Sequence, residues 1–159
     1  MLIRTPLTER LDVRLTNWMS RHGIWLMRIS IGIVFFWFGF LKFFPGLSPA
    51  EGLAVQTINV ITFDLMSSQT ILYILATWES LIGIGLISGI FLRETLLLLF
   101  LQMLGTLMPV FFFPGEVFTQ APYALTLEGQ YIFKNMVLIS AGIVLGATVR
   151  GGKLNPNPK

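Results

Sequence analysis

Four long apolar runs are the feature of the sequence that most restricts its fold. A helix needs about 20 apolar residues to cross a hydrocarbon core of roughly 30 Å, and each run comes close to that length or exceeds it. The runs are residues 23–44, 71–92, 95–113 and 131–149. The sequence therefore predicts an all-α protein, a four-helix transmembrane bundle that forms a single integral membrane domain over residues 1–159.

The composition also favours a membrane protein. Hydrophobic residues make up 54% of the chain and charged residues 12%, with a mean hydropathy of +0.75, whereas a soluble domain carries about 25% charged residues. Cysteine is absent and His22 is the single histidine. The sequence therefore excludes disulfides, thiolate chemistry, iron–sulfur ligation and a bis-histidine haem site within one chain. We expect no metal site and no intrinsic cofactor.

The basic residues indicate how the chain crosses the membrane. Eight of them lie before the first run, between the second and third runs, or after the fourth run: Arg4, Arg10, Arg14, Arg21, Arg93, Arg150, Lys153 and Lys159. The two longer links, residues 45–70 and 114–130, contain acidic residues but no lysine or arginine. The positive-inside rule then predicts cytoplasmic termini and outward-facing longer links. The positive charge fits anionic lipid, and no aromatic–basic pattern suggests nucleic acid.

Two segments outside the runs carry helix signals of their own. Thr5 followed by Pro6 is typical of an N-cap with proline at the first helical position. The leucines that follow recur at helical spacing, which predicts an N-terminal interfacial amphipathic helix on the inner leaflet. Residues 48–51, SPAE, form a capping box that predicts a short outer-side helix between spans 1 and 2, either a lid or a packed connector.

Two further expectations concern the outer side of the bundle. A signal peptide cleaved near residues 48–50 is an alternative interpretation of the first run, but the run is long and rich in large aromatic residues, which disfavours cleavage.

The second long link, residues 114–130, contains two prolines and two glycines. We expect this link to fold back over the bundle.

Each predicted span has one face of polar or small residues. At about 100° per residue, Gly32, Gly39 and Lys42 lie within roughly 40° of Arg28 on the first helix. The corresponding residues of the other spans are Glu79 and Gly83, then Gln102, Thr106 and Pro109, then Asn135, Gly142 and Gly146. Glycine faces let membrane helices approach closely, so we expect the four faces to meet in a polar interior.

Glu79 is the most constrained of these residues. It lies about eight residues inside the second run, roughly 12 Å deep, where an ionised group costs about 2.5–3.5 kcal/mol without a partner. Helical side chains lean toward the N-terminus of their own helix, so Lys42 and Glu79 lean toward each other. Lys134 is the second choice of partner, while Arg28 is close enough to the inner surface to snorkel or to bind a lipid phosphate.

The interpretation of these residues stays open between structure and function. An ion pair within a membrane either holds helices in register or forms a functional polar site. Gln102 and Asn135 are candidates for hydrogen bonds between helices or for ligand contacts. Three aromatic residues are candidates for a cover over the ring of a bound quinone, and otherwise face lipid: Trp37, Trp78 and Phe111.

Three motifs together resemble a known family. They are RISIGIVFFWFGFLKF from Arg28, WESLIGIGL from Trp78 and EGQYIFKNMVLISAG from Glu128. With Arg28, Lys42, Glu79 and Lys134 in place, this ordered set resembles the DoxX-like membrane proteins, and in particular their reactive-chlorine-resistance branch. The resemblance implies a four-helix bundle in the bacterial inner membrane and a link to redox or oxidative-stress physiology. Some relatives are subunits of a thiosulfate:quinone oxidoreductase or belong to a membrane-associated oxidoreductase complex.

Three functions follow as hypotheses. The first is an accessory or quinone-interacting membrane subunit in redox or oxidative-stress defence, which is not a catalyst on its own. The second is a transporter or channel for a small solute or proton that uses Glu79 as a relay. The third is a scaffold whose charges only hold helices in register. The expected partners are membrane lipid and either another protein or a further copy of this chain.

Overall fold

The computed structural model describes residues 6–44, 46–48 and 51–155, with residues 6–8 described by their backbone alone. About 78% of the described residues are helical, which confirms the predicted all-α class. The helices are α1 (Pro6–Leu41), α2 (Glu51–Thr62), α3 (Ser68–Ser88), α4 (Leu92–Leu107), α5 (Pro109–Phe112), α6 (Pro114–Val117) and α7 (Leu127–Thr148). A two-stranded antiparallel hairpin, β1 (Phe118–Gln120) and β2 (Ala124–Leu125), precedes α7.

Within the part of the chain that the structure describes, four segments are long and apolar enough to cross a membrane, as the sequence predicts. They are Glu9–Leu41, Ser68–Ser88, Leu92–Phe112 and Leu127–Thr148. The last three begin three or four residues earlier than the apolar runs do. Two of these starts are polar caps: the Ser67 hydroxyl accepts a hydrogen bond from the Thr70 amide, and the Thr126 hydroxyl accepts one from the Gly129 amide. The caps satisfy amide groups that a helix start otherwise leaves unpaired.

The N-terminal segment differs from the prediction of a separate interfacial helix. It continues directly into the first span, so that α1 is one helix of 36 residues, about 54 Å long at 1.5 Å per residue. The reason is that Gly23 alone interrupts the helix-forming sequence at the expected boundary, and a single glycine costs only about 1 kcal/mol. The predicted N-cap at Thr5 lies outside the described residues.

The predicted helix between the first two spans is present as α2. Its buried residues are Leu53 and Thr57, and it packs against α3 and α5. The predicted capping box includes residues 49 and 50, which lie outside the described part of the chain. The Glu51 carboxylate accepts a hydrogen bond from the Gly46 amide at 3.2 Å.

The third span and the link after it are more irregular than predicted. The helix divides into α4 and α5 at Pro109, which has no amide hydrogen to donate and stands at the first position of α5. The link then forms α6 and the hairpin, neither of which was predicted from the sequence. This link does pack onto the bundle, as expected, because Val117 is fully buried in a cluster with Leu53 and Ile132.

Glycines set the closest helix pair, α1 and α3. A Cβ atom at Gly32 would come within 3.1 Å of the Gly83 carbonyl oxygen, and one at Gly83 would overlap the backbone of Phe36. This confirms that the glycine face of the first span turns into the bundle. The main apolar cluster lies in the same half of the bundle as this contact and contains Ile31, Phe35, Ile82, Leu86, Leu96, Leu99, Met103 and Leu145.

Candidate functional site

The Lys42–Glu79 ion pair is the centre of the candidate site. The Lys42 ammonium lies 2.5 Å from Oε2 of Glu79. The lysine side chain is 10% exposed and the glutamate side chain 11%. The Lys42 ammonium also lies 3.4 Å from the Phe38 carbonyl oxygen. The predicted pairing is therefore confirmed. Because α3 begins at Ser68, Glu79 lies about 16 Å from the start of its helix, compared with the roughly 12 Å expected from the sequence.

Gln102 completes the contacts of the carboxylate. Its Nε2 atom donates to Oε1 of Glu79 at 2.8 Å. One carboxylate oxygen thus contacts a residue that follows α1 and the other contacts a residue of α4. We refer to Lys42, Glu79 and Gln102 as the polar cluster, which joins three of the four spans in one network.

The close approach of α1 to α3 explains why the pair forms. A Cβ atom at Gly39 would lie 2.7 Å from the Ser80 amide nitrogen and 2.8 Å from the Glu79 Cβ. Because glycine has no side chain there, the end of α1 lies directly against the turn of α3 that carries Glu79. Lys42 follows three residues later and reaches the carboxylate.

The polar cluster lines a cavity of about 820 Å³. The cavity lies between α1, α3, α4 and α7 and is bordered by α2. Phe35 and Met103 of the main apolar cluster form one end of it, whereas Leu53 and Thr57 of α2 lie at the other end. Apart from the polar cluster and a few residues of α7, most of its lining is apolar. An apolar cavity with a few convergent polar groups is typical of a small-molecule site.

Two more of the predicted site residues line this cavity from α7. Lys134 is exposed and its ammonium lies 5.6 Å from the centre of the Tyr131 ring, within the range of a cation–π contact. Asn135 lies beside it and is half-buried. Glu79 is paired with Lys42, the partner that the sequence favoured, and not with Lys134.

The aromatic residues divide between the cavity and the outer surface. Trp78 lines the cavity, and its indole nitrogen donates to the Leu98 carbonyl at 3.2 Å. Trp37 is 63% exposed and Phe111 is 75% exposed, and neither lines the cavity. Trp37 is about 140° away from Lys42 around the helix, and Phe111 lies beyond the break at Pro109. These two residues therefore do not form the aromatic cover suggested by the sequence.

Arg28 also lies away from the cavity. It precedes Lys42 by 14 residues on the same helix, about 21 Å. Its guanidinium group occupies the space where Gly89, the residue that ends α3, would carry a side chain. A cation at that end of a helix interacts favourably with the helix dipole. The structural interpretation of Arg28 therefore fits its position.

Sequence reasoning missed the contributions of α2 and of the start of α7. Thr57 is buried in α2 and Glu128 is half-buried, and both line the cavity. Glu128, Ser48 and Leu53 also border a second, more open cavity of about 960 Å³ that contains Glu51 and Glu116. The sequence feature that could have indicated the contribution of α2 is the spread of its apolar residues around the helix, because such a helix is covered on more than one side.

The fold and the cavity define a class: a multi-pass membrane protein with a buried ion pair beside an apolar cavity. The family model of DoxX matches residues 23–113, which is more than half of the chain. The chain belongs to the DoxX family. Neither a curated protein nor a solved structure gives a match.

Proposed function

We propose that the protein is an accessory membrane subunit that binds a quinone through the polar cluster and serves redox or oxidative-stress defence. The observation that carries the proposal is the position of Lys42, Glu79 and Gln102 on the wall of a largely apolar cavity. A quinone combines a polar ring with an apolar tail, and this lining offers both environments. The reactive-chlorine-resistance branch of the family, suggested by the motifs, is part of the same proposal.

The hydrogen-bonding capacity of the cluster favours a head group that accepts hydrogen bonds. Lysine has three N–H donors and the glutamine amide has two. Lys42 directs one donor to Glu79 and lies 3.4 Å from the Phe38 carbonyl, and Gln102 directs one donor to Glu79. Each of the two residues therefore keeps at least one donor for a ligand. A quinone carbonyl oxygen is such an acceptor.

The size of the cavity is consistent with this ligand. Small-molecule sites usually have volumes of about 300–1,000 Å³, and this cavity has about 820 Å³. Trp78 supplies an aromatic surface at the wall that carries Glu79.

The chain has no cysteine, and among the described residues no group of three or more His, Cys, Asp or Glu side chains could hold a metal ion. We therefore propose that electrons come from a partner protein.

Binding can be measured directly on the purified protein in lipid nanodiscs. We expect a soluble quinone analogue to raise the unfolding temperature of the parent protein in a concentration-dependent way, because a ligand that binds only the folded state stabilises it. A variant carrying both Lys42→Met and Glu79→Met should fold but lose this shift. Absence of any shift with the parent protein would contradict quinone binding, and an unchanged shift in the double variant would contradict the role of the cluster.

The proposal also includes the bacterial inner membrane and cytoplasmic termini, which the distribution of basic residues supports. The absence of native cysteine makes this simple to test with single-cysteine variants. A membrane-impermeant thiol reagent added to intact spheroplasts should label Thr119→Cys in the second long link and leave Lys153→Cys unlabelled. The reverse labelling pattern would overturn the proposed orientation.

A second candidate is a proton or small-solute transporter, favoured by the second cavity. That cavity shares Ser48, Leu53 and Glu128 with the first, which suggests a route toward Glu79. Against it, the apolar cluster that includes Phe35, Ile82 and Leu99 lies beyond the polar cluster. Flux into liposomes that stops with Glu79→Gln would favour transport, whereas equal flux with and without that substitution would remove this candidate.

A further inference from the structure

The boundary between α1 and α7 differs from the other boundaries of the cavity. Val34 of α1 is 40% exposed and Val137 of α7 is 70% exposed, and both line the cavity. A residue that both lines a cavity and lies on the outer surface marks a place where the two meet. The cavity thus reaches the outer surface of the bundle between α1 and α7. In a membrane, that surface faces lipid.

The other neighbouring spans are tied together by specific contacts. Glycines bring α1 against α3, and the Trp78 indole bonds to the Leu98 carbonyl between α3 and α4. Helix α7 meets α4 at Gly142, where a Cβ would lie 3.3 Å from Leu99 and Phe100 side-chain atoms. By contrast, no hydrogen bond or ion pair joins the described residues of α1 to those of α7. We call this boundary the α1–α7 seam.

The cavity has a second rim with exposed lining residues, on the side of α2, α3 and α4. Ile61, Ile74 and Leu101 lie there, and Leu101 is 47% exposed. The Trp78–Leu98 hydrogen bond crosses between α3 and α4 on this side, and α2 packs against α3. This rim is therefore held by contacts that the α1–α7 seam lacks, and it offers a control position.

We propose that the α1–α7 seam is the lateral entrance of the site, and that the tail of the bound ligand remains in the seam between Val34 and Val137. This inference rests on the proposed function and adds the class of substrate to it. The ligand carries hydrogen-bond acceptors on its head group and a long apolar tail that stays in contact with lipid. Val34 and Val137 then select for the tail, whereas the polar cluster selects for the head group.

The test compares two probes on three variants in lipid nanodiscs. The probes are a long-tailed isoprenoid quinone and its tail-less ring, and the variants are Val34→Trp, Val137→Trp and the control Leu101→Trp. A tryptophan in the seam overfills it, so we expect each seam variant to weaken binding of the long-tailed quinone by about tenfold or more. Binding of the tail-less ring to the seam variants should change by less than about twofold, and Leu101→Trp, which lies at the other rim of the cavity, should not weaken binding of the long-tailed quinone selectively.

The possible failures of the experiment are distinguishable. If the parent protein binds neither probe, the proposed function itself is wrong. If the parent binds both probes but the seam variants weaken them equally, or if Leu101→Trp gives the selective loss, the entrance is not at the seam. Size-exclusion profiles and unfolding temperatures check that each variant folds. If Val34→Trp does not fold, Val137→Trp alone tests the position of the entrance, because Val137 lies mostly on the surface and tolerates a larger side chain.

Discussion

The first helix has two unlike neighbours. Against α3 it packs through Gly32, Gly39 and Gly83, so closely that a methyl group at these positions would collide with the opposite helix. On the side of α7, the first helix is separated from its neighbour by the α1–α7 seam and the cavity. The comparison shows how one helix both fixes a polar pair and leaves space beside it. The close interface places Lys42 on Glu79, and the open side leaves the cavity in which we propose that a ligand contacts them.

The largest expected effect comes from leaving one member of the pair alone. Lys42→Met or Glu79→Met should lower the free energy of unfolding by about 3–5 kcal/mol, because either change leaves an uncompensated buried charge. Lys134→Met is the matched control, since that lysine is exposed and its loss should cost about 0–1 kcal/mol. Reversible unfolding in mixed micelles measures all three. A cost for Lys42→Met no greater than that of Lys134→Met would contradict the close interface described here.

The next effect concerns the interface between α1 and α3 itself. Gly83→Ala places a methyl group on the backbone of Phe36 and should cost about 1–3 kcal/mol, as overpacking does. Gly23→Ala is the control, because nothing lies within 4 Å of its Cβ position; this change should be neutral or slightly stabilising in a helix. The same unfolding assay reports both. Equal tolerance of the two substitutions would mean that the helices are not in close contact.

The smallest effect expected is at the α4 side of the cluster. Gln102→Leu removes the hydrogen bond to Oε1 of Glu79 and should cost about 0.6–1.7 kcal/mol, the range for polar contacts between membrane helices. Glu79 keeps its contact with Lys42, so the loss should be well below that of Lys42→Met. A cost as large as that of Lys42→Met would show that Gln102, rather than the lysine, holds the carboxylate in place.

The sequence predicted the parts of the fold that depend on local composition and helical spacing. The four spans follow from run length, and the Lys42–Glu79 contact follows from the side-chain lean and the shared glycine face. The prediction failed where a boundary depends on a weak signal. The predicted boundary between the interfacial helix and the first span, at Gly23, is wrong: α1 continues through this residue, because one glycine costs a long helix only about 1 kcal/mol.

The cavity was harder to predict than the ion pair. Its polar cluster was among the sequence candidates, but its shape depends on where α2 and the start of α7 lie, which helical spacing within one span does not specify. Trp37 illustrates the limit: the residue type fits an aromatic cover, yet its angle around α1 places it on the outer surface. The roles of Lys134 and Asn135 as ligand contacts remain predictions.

A double-mutant cycle at Lys42 and Glu79 tests the central claim most directly. If the two charges compensate each other inside the bundle, the protein with both Lys42→Met and Glu79→Met should be about as stable as the parent, although each single change costs about 3–5 kcal/mol. Unfolding of the four proteins under identical conditions gives the coupling energy. Costs that simply add in the double variant would contradict the pairing on which the site depends.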